Sequence, residues 1–367
     1  MYINFWYPLI FSHDLGDEPK LVRVLDHDFA VYRTVDGEVH CLANTCVHRG
    51  GNLADGRVRD GNLECPYHGW QFDGGGACKL IPSMGADATI PGRAKVDSYP
   101  VEVRFGIVFA FLGDLPEDQR PPIMEAIEYD DPDWYCNLMT WDLAANYARS
   151  IENGIDPGHN EFVHPTHGFS GEREGYFVPE LSLLHTDWGV GFMTQYQSSG
   201  STDMKVRQHK TQTQSEAGSG THGPNAIWTY IHISETAWFH QYMYEAPIDD
   251  GNVRIFLVNM RSFGPGDEMG GRIRERNKIV AQQDIDVLEP VAPVLTPKSK
   301  NDELMVPADS CVVAYRKLMK GWHDKGWHID RDKLQAAEGK KMYAIPSPAR
   351  RKTKGWVLDA VPTSSAK

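Results

Sequence analysis

Short apolar runs separated by turn residues open this chain. Leu21–Leu25, Phe29–Thr34 and Val39–Ala43, the last two split by an Asp36-Gly37 turn, predict an antiparallel strand meander. Tyr99–Arg104 and Ile107–Leu112 predict a closing hairpin about Phe105-Gly106, which places an all-β domain over residues 1–113. From 114 to 133 the composition turns acidic and proline-rich, with Pro116, Pro121, Pro122 and Pro132, as in a connection between domains. A second domain over 134–367 follows. Within it Ile227–Ile233, Trp238–Glu245 and Val253–Met260 read as another antiparallel meander, and the stretch from Gly271 to Pro290 reads as a long helix stopped by proline. The expected class is α+β: an all-β domain, then an antiparallel sheet packed by a long helix. Ser, Gly and Thr dominate Ser198 to Gly223, which predicts a long exposed loop, in part a lid.

Alternation offers a pocket face. Trp238, His240, Tyr242 and Tyr244 share one side of their strand, with Trp228, Tyr230 and His232 alternating next door, while Phe239, Gln241 and Met243 take the other. One of these faces is expected to line an aromatic pocket; ordinary packing explains any single residue equally well. His232 and His240 are expected to be hydrogen-bonded sheet or pocket residues and not metal ligands.

The chain has 367 residues and 41% hydrophobic content, enough for two cores. A net charge of -13, from 50 acids against 37 bases, argues against nucleic acid and an anionic membrane surface as partners and suits a basic electron donor. Met1 to Pro8 lacks the features of a signal peptide and no apolar run approaches about 18 residues, so a cytoplasmic protein with no membrane span is expected. Of six cysteines, Cys41, Cys78, Cys136 and Cys311 have no paired spacing and are expected to be free buried thiols.

The other two carry the most specific signal. Cys46-Val47-His48 is followed by Cys65-Pro66-Tyr67-His68, so each short segment offers one thiol and one imidazole. A Cys2His2 zinc site groups like ligands, whereas here they alternate. A Rieske centre needs two thiolates on one iron and two imidazoles on the other, which this order delivers as Cys46, His48, Cys65 and His68 on a 2Fe-2S cluster. Gly50, Gly51, Pro66 and Gly69 suit tight loops around it.

On these motifs the chain resembles the oxygenase component, or alpha subunit, of the Rieske non-haem iron oxygenases, most nearly the homo-oligomeric monooxygenase and demethylase branches. The resemblance implies a helix-grip (START-like) second domain with a mononuclear iron site, and Asp156 to His164 contains the matching D-x-x-H-x-x-x-x-H. Two imidazoles and a carboxylate with open positions form the facial triad of ferrous oxygenases. His159 and His164 match the imidazoles, and His167 competes. Five residues along a regular helix turn a side chain about 140° away, so a break between His159 and His164, helped by Pro165, is expected. Asp284 matches the family's carboxylate, with Asp286 and Glu289 as alternatives. On a helix Asp284 shares a stripe with Val280, Val287 and Leu288, whereas Asp286 faces outward.

The resemblance further implies that Asp156 bridges His68 of one subunit to His159 of the next, and that Asn153 lies near the iron; a helix cap is the plainer role for an Asp before Pro157. It implies a homotrimer, a ferredoxin or reductase as donor, and NAD(P)H only indirectly through that reductase. The chain carries neither a plant-type ferredoxin cysteine run nor a dinucleotide fingerprint. The expected activity is use of O2 and supplied electrons to hydroxylate or oxidatively demethylate a small aromatic organic molecule. Aromatic-ring cis-dihydroxylation is the alternative outcome. A Rieske electron-transfer protein would not need the second motif, and a ligand-binding helix-grip protein would not need intact His159, His164 and Asp284.

Overall fold

The computed structural model describes residues 1–196, 215–297 and 301–366. It divides into two compact units, Met1–Ile123 with Gly321–Lys367, and Met124–Lys320.

The first unit is built on small antiparallel sheets. Lys20–Val24, His27–Arg33, Val39–Ala43 and Ser98–Tyr99 form one, Phe5–Phe11, Ile107–Leu112 and Val101–Arg104 a second, and Arg57–Arg59, Asn62–Glu64, Gln71–Phe72 and Cys78–Leu80 a third. The Phe105-Gly106 turn has φ of 55° and 75°, the left-handed pair that a two-residue hairpin needs. Ile107–Leu112 is buried throughout, so it forms the middle strand of its sheet.

The sequence division continues the second domain to residue 367, but Gly321–Lys367 belongs to the first unit. The reason is a buried acid. Asp97, 1% exposed, accepts from Arg350 Nε and Nη2 at 2.8 and 2.7 Å, and from Ser347 N and Oγ at 3.1 and 2.7 Å. Tyr99 Oη also donates to the Ile345 carbonyl at 2.8 Å.

The second unit carries a seven-stranded antiparallel sheet. Its order is Tyr135–Leu143, Val253–Arg261, Trp238–Pro247, Ala226–His232, Ser215–His222, Val190–Tyr196, Leu183–His185. Helix α1 (Tyr147–Gly154), the single turn α2 (Asn160–Val163) and helix α3 (Asp267–Leu288) follow in chain order, and α4 (Ser310–Asp324) spans the division between the units.

Two expectations are corrected. Of the predicted loop Ser198 to Gly223, residues 198–214 lie outside the described residues, and Ser215–His222 is a paired strand. Its Gly220 serves packing, because the Trp228 ring covers it: a Cβ there, or on Gly191 of the neighbouring strand, would sit 2.5 Å from Trp228 Cζ2. Cys41, Cys78 and Cys311 are free and buried as expected, whereas Cys136 is free and exposed. It lies on Tyr135–Leu143, an edge strand of the sheet, where one face is less covered.

Candidate metal centres and substrate cavity

Two loops of matching design present the alternating thiols and imidazoles. One follows the Val39–Ala43 strand, and the other joins Asn62–Glu64 to Gln71–Phe72. Each is closed by a glycine amide on the cysteine carbonyl, Gly50 N to Cys46 O and Gly69 N to Cys65 O, both at 2.9 Å. Both glycines sit at positive φ, 72° and 69°, where a side chain would be strained. Cys46 and Cys65 are buried, and the His48 and His68 rings lie 4.3 Å apart beside them. Trp70 stacks on His48 at 4.6 Å, and its buried Nε1 has no hydrogen-bond partner among the described residues.

The cradle is tight. A Cβ on Gly51 would stand 2.9 Å from Cys65 Sγ, so bare backbone is required there. Burial, and after it the Cys65 sulfur, push the Cys46 thiol up to about 12. Such a thiol becomes a thiolate only beside a cationic centre. The donor set, the cradle and the orphaned indole N–H fit an iron-sulfur cluster held by Cys46, His48, Cys65 and His68.

In the second unit the chain leaves α1 at Gly154 and makes a single α-helical turn, Asn160–Val163, followed by a 3-10 turn over Pro165–His167. His159 stands before the α-helical turn and His164 after it, the latter at φ -114° and ψ 68°. The helix is thus interrupted where the five-residue spacing demands it, and the two Nε2 atoms lie 3.2 Å apart. Asp284 on α3 brings its Oδ1 to 3.3 Å from His164 Nε2 and 3.9 Å from His159 Nε2. Among the described residues these three form the one group of His, Cys, Asp or Glu with ligand atoms close enough for a metal, all within 4.8 Å.

The surrounding residues fix ring orientation. His159 Nδ1 bonds the Asp156 carbonyl at 2.6 Å, and His164 Nδ1 bonds Gln283 Oε1 at 3.1 Å. Gln283 is itself oriented by donating to Thr166 Oγ1 at 2.5 Å. Because a carbonyl oxygen can only accept, both Nδ1 atoms carry the proton and both Nε2 lone pairs are free. Asn153 donates to Asp284 Oδ1 at 3.0 Å. Burial works against charge on either imidazole; it prevails at His159, whose pKa is lowered, while the Asp284 carboxylate prevails at His164, whose pKa is raised.

The alternatives separate cleanly. His167 packs against the His164 ring at 4.9 Å and is outside the group. Asp286 is exposed and accepts from Gln282, and Glu289 is exposed and accepts from Ala144 N at 3.3 Å. Val287, placed on the buried stripe by periodicity, is 41% exposed; the covered stripe runs through Ile273, Asn277 and Leu288. The Asp156 carboxylate accepts from Gly158 N at 2.6 Å and stands 4.0 Å from His159 Nδ1, so within this chain its backbone, and not its side chain, bonds that imidazole.

A cavity of about 500 Å³ opens on the three metal-group residues. It is walled by the Phe239, Gln241 and Met243 face of the sheet and by α1 and α3. The aromatic face opposite packs elsewhere: buried Glu128 accepts from His240 Nδ1 at 2.5 Å and Tyr242 Oη at 2.6 Å, and Trp134 lies 4.8 Å from the His240 ring. Reasoning from sequence missed Gln283, Glu128 and Glu245. Gln283 was accessible in principle, being adjacent to Asp284 on a helix; Glu128 sat in the acidic, proline-rich stretch read as a connection between domains.

Residues 5–100 match the model of the Rieske [2Fe-2S] domain, and 143–325 that of the vanillate O-demethylase oxygenase C-terminal domain. The chain is 33% identical over 172 residues to protein TIC 55, chloroplastic, of Arabidopsis thaliana, covering 46% of this chain and 32% of that protein. It thus spans about a third of that relative's length. It is 28% identical to methylxanthine N1-demethylase NdmA of Pseudomonas putida, over 86% of this chain and 88% of that one. The solved structure of Pseudomonas putida CBB5 NdmA with caffeine superposes with a TM-score of 0.75 at 25% identity, covering 88% of this chain and 91% of that one.

Proposed function

We propose that this chain, which belongs to the Rieske non-haem iron oxygenases, is the terminal oxygenase of a multicomponent system that hydroxylates or oxidatively demethylates a small aromatic molecule. The observation that carries the reading is the convergence of His159, His164 and Asp284 on one wall of a mainly apolar cavity. When bound, a Rieske cluster passes single electrons and mononuclear ferrous iron activates dioxygen.

The chain's own residues set the stage for that chemistry. Cys46, His48, Cys65 and His68 hold the cluster, and His159, His164 and Asp284 hold the iron. The Asp156 carbonyl and Gln283 keep both imidazole protons on Nδ1, and Asn153 steadies the carboxylate. Three protein ligands leave coordination positions for substrate chemistry, and the apolar wall excludes water and orients a flat ring.

Electrons come from a ferredoxin or reductase, with NAD(P)H consumed only there. The Asp156 carboxylate links His68 of one copy to His159 of the next in a closed homotrimer, a role supported by an Oδ2 that stands only 4.0 Å from His159 Nδ1 while Oδ1 accepts from Gly158 N. Six cysteines, none paired, suit a reducing compartment such as the cytoplasm.

Iron and acid-labile sulfide on anaerobically purified protein, followed by product analysis with a surrogate reductase, test the reading. About three irons and two sulfides per chain are expected. A protein that keeps its cluster, takes up ferrous iron and oxidises no member of an aromatic ether and N-methyl panel would refute it. Asp156→Asn is expected to retain both metals and lose nearly all turnover; full turnover in that variant would remove the linking role.

A further inference from the structure

Glu245 lies in the cavity wall, on the same strand face as Phe239, Gln241 and Met243, and is 0% exposed. Its backbone is pinned, since Glu245 N donates to the Asn225 carbonyl at 2.8 Å and its own carbonyl accepts from Asn225 Nδ2 at 3.0 Å. One carboxyl oxygen, Oε1, accepts from Ser150 Oγ at 2.7 Å. Among the described residues the other, Oε2, has no hydrogen-bond partner and this acid has no ion pair. A buried carboxyl with one oxygen unused is costly unless something fills the vacancy in its bonding.

Its place relative to the metal group is set by α1. Ser150, which holds Glu245, and Asn153, which holds Asp284, are three residues apart on one helical face, about 4.5 Å along the axis. Both also line the cavity. Burial pushes the Glu245 carboxyl up to about 8, with Ser150 opposing, so the acid is neutral at neutral pH and carries a proton to donate.

We propose that Glu245 is a specificity-determining residue, donating a hydrogen bond from its neutral carboxyl to a carbonyl oxygen or ring nitrogen of the substrate. The inference rests on the cavity being the substrate site. It selects for aromatic molecules that present an acceptor about one ring away from the oxidised position, and against pure hydrocarbons and cations.

The test is equilibrium dialysis of the iron-loaded protein with two shape-matched pairs, 4-methoxyacetophenone with 4-isopropylanisole and quinoline with naphthalene. Wild type is expected to favour the acceptor-bearing member of each pair on the order of tenfold. Glu245→Leu is expected to abolish that preference, and Glu245→Gln, which keeps a neutral donor, to retain most of it. A Ser150→Ala protein provides a second variant if Leu at 245 does not fold, and should weaken the preference through Oε1. Equal binding within the pairs in wild type, or an undiminished preference in Glu245→Leu, would overturn the proposal. Binding is read without turnover, so an intact preference without product would count against the oxygenase reading alone.

Discussion

An imidazole binds metal through one nitrogen, so something must keep the proton on the other. Here a backbone carbonyl does this for His159 and Gln283 does it for His164. Only the second can be removed by mutation. Gln283→Ala should lower ferrous affinity roughly 10- to 100-fold while leaving the visible spectrum of the cluster unchanged; chelator competition on the purified variant measures it. Glu245 makes a different prediction. Its raised carboxyl contributes stability that is complete below the ordinary glutamate range near 4.5 and is lost as pH rises through about 8. Thermal unfolding between pH 5 and 8.5 should therefore fall less steeply in Glu245→Gln, by on the order of a few kcal/mol across the range; parallel curves would show that the group ionises freely. At this scale six of the seven proposed metal-binding residues were legible because their spacing is local and their chemistry distinctive, whereas Asp284, far along the chain, was picked out by resemblance and by its place on a helix stripe. Gln283 and Glu245 were not, because an uncharged helix amide and a strand glutamate look ordinary until the fold decides what lies beside them.

Elements were legible where local pattern and tertiary packing agree. The five-residue interval between His159 and His164 demanded an interruption, and α2 is a single turn with His164 outside helical geometry. Composition misled where small residues serve a neighbour. Gly220 sits in a strand under a tryptophan supplied by the adjacent strand, which no window of the sequence around it reveals. Gly220→Ala would bring a Cβ to 2.5 Å from Trp228 Cζ2 and 2.7 Å from Gly191 Cα. Overpacking of this kind costs about 1–3 kcal/mol, so a lower melting temperature and altered tryptophan fluorescence are expected. The two faces of the Trp238–Pro247 strand show a related limit: alternation separated them, but only Glu128 and Trp134 on one side, and α1 and α3 on the other, decide which lines the cavity.

At the scale of the whole molecule, the first unit draws on both the beginning and the last stretch of the described chain, and periodicity cannot report such a return. Its anchor is Asp97 with Arg350 and Ser347. Removing one partner of a buried ion pair costs about 3–5 kcal/mol, so Arg350→Ala should lower the temperature at which the cluster absorbance is lost. An unchanged transition would show that the anchor is dispensable.

This arrangement also has an order in time. Domains tend to fold as they leave the ribosome, N-terminal first, yet here the residues proposed to hold the cluster emerge long before Ser347 and Arg350, which bury Asp97. The Met124–Lys320 unit can fold while the first unit still lacks its closing piece. The bonds from Ser347 and Arg350 to Asp97 therefore close the first unit only after both cysteine-and-histidine loops and the whole Met124–Lys320 unit have been made.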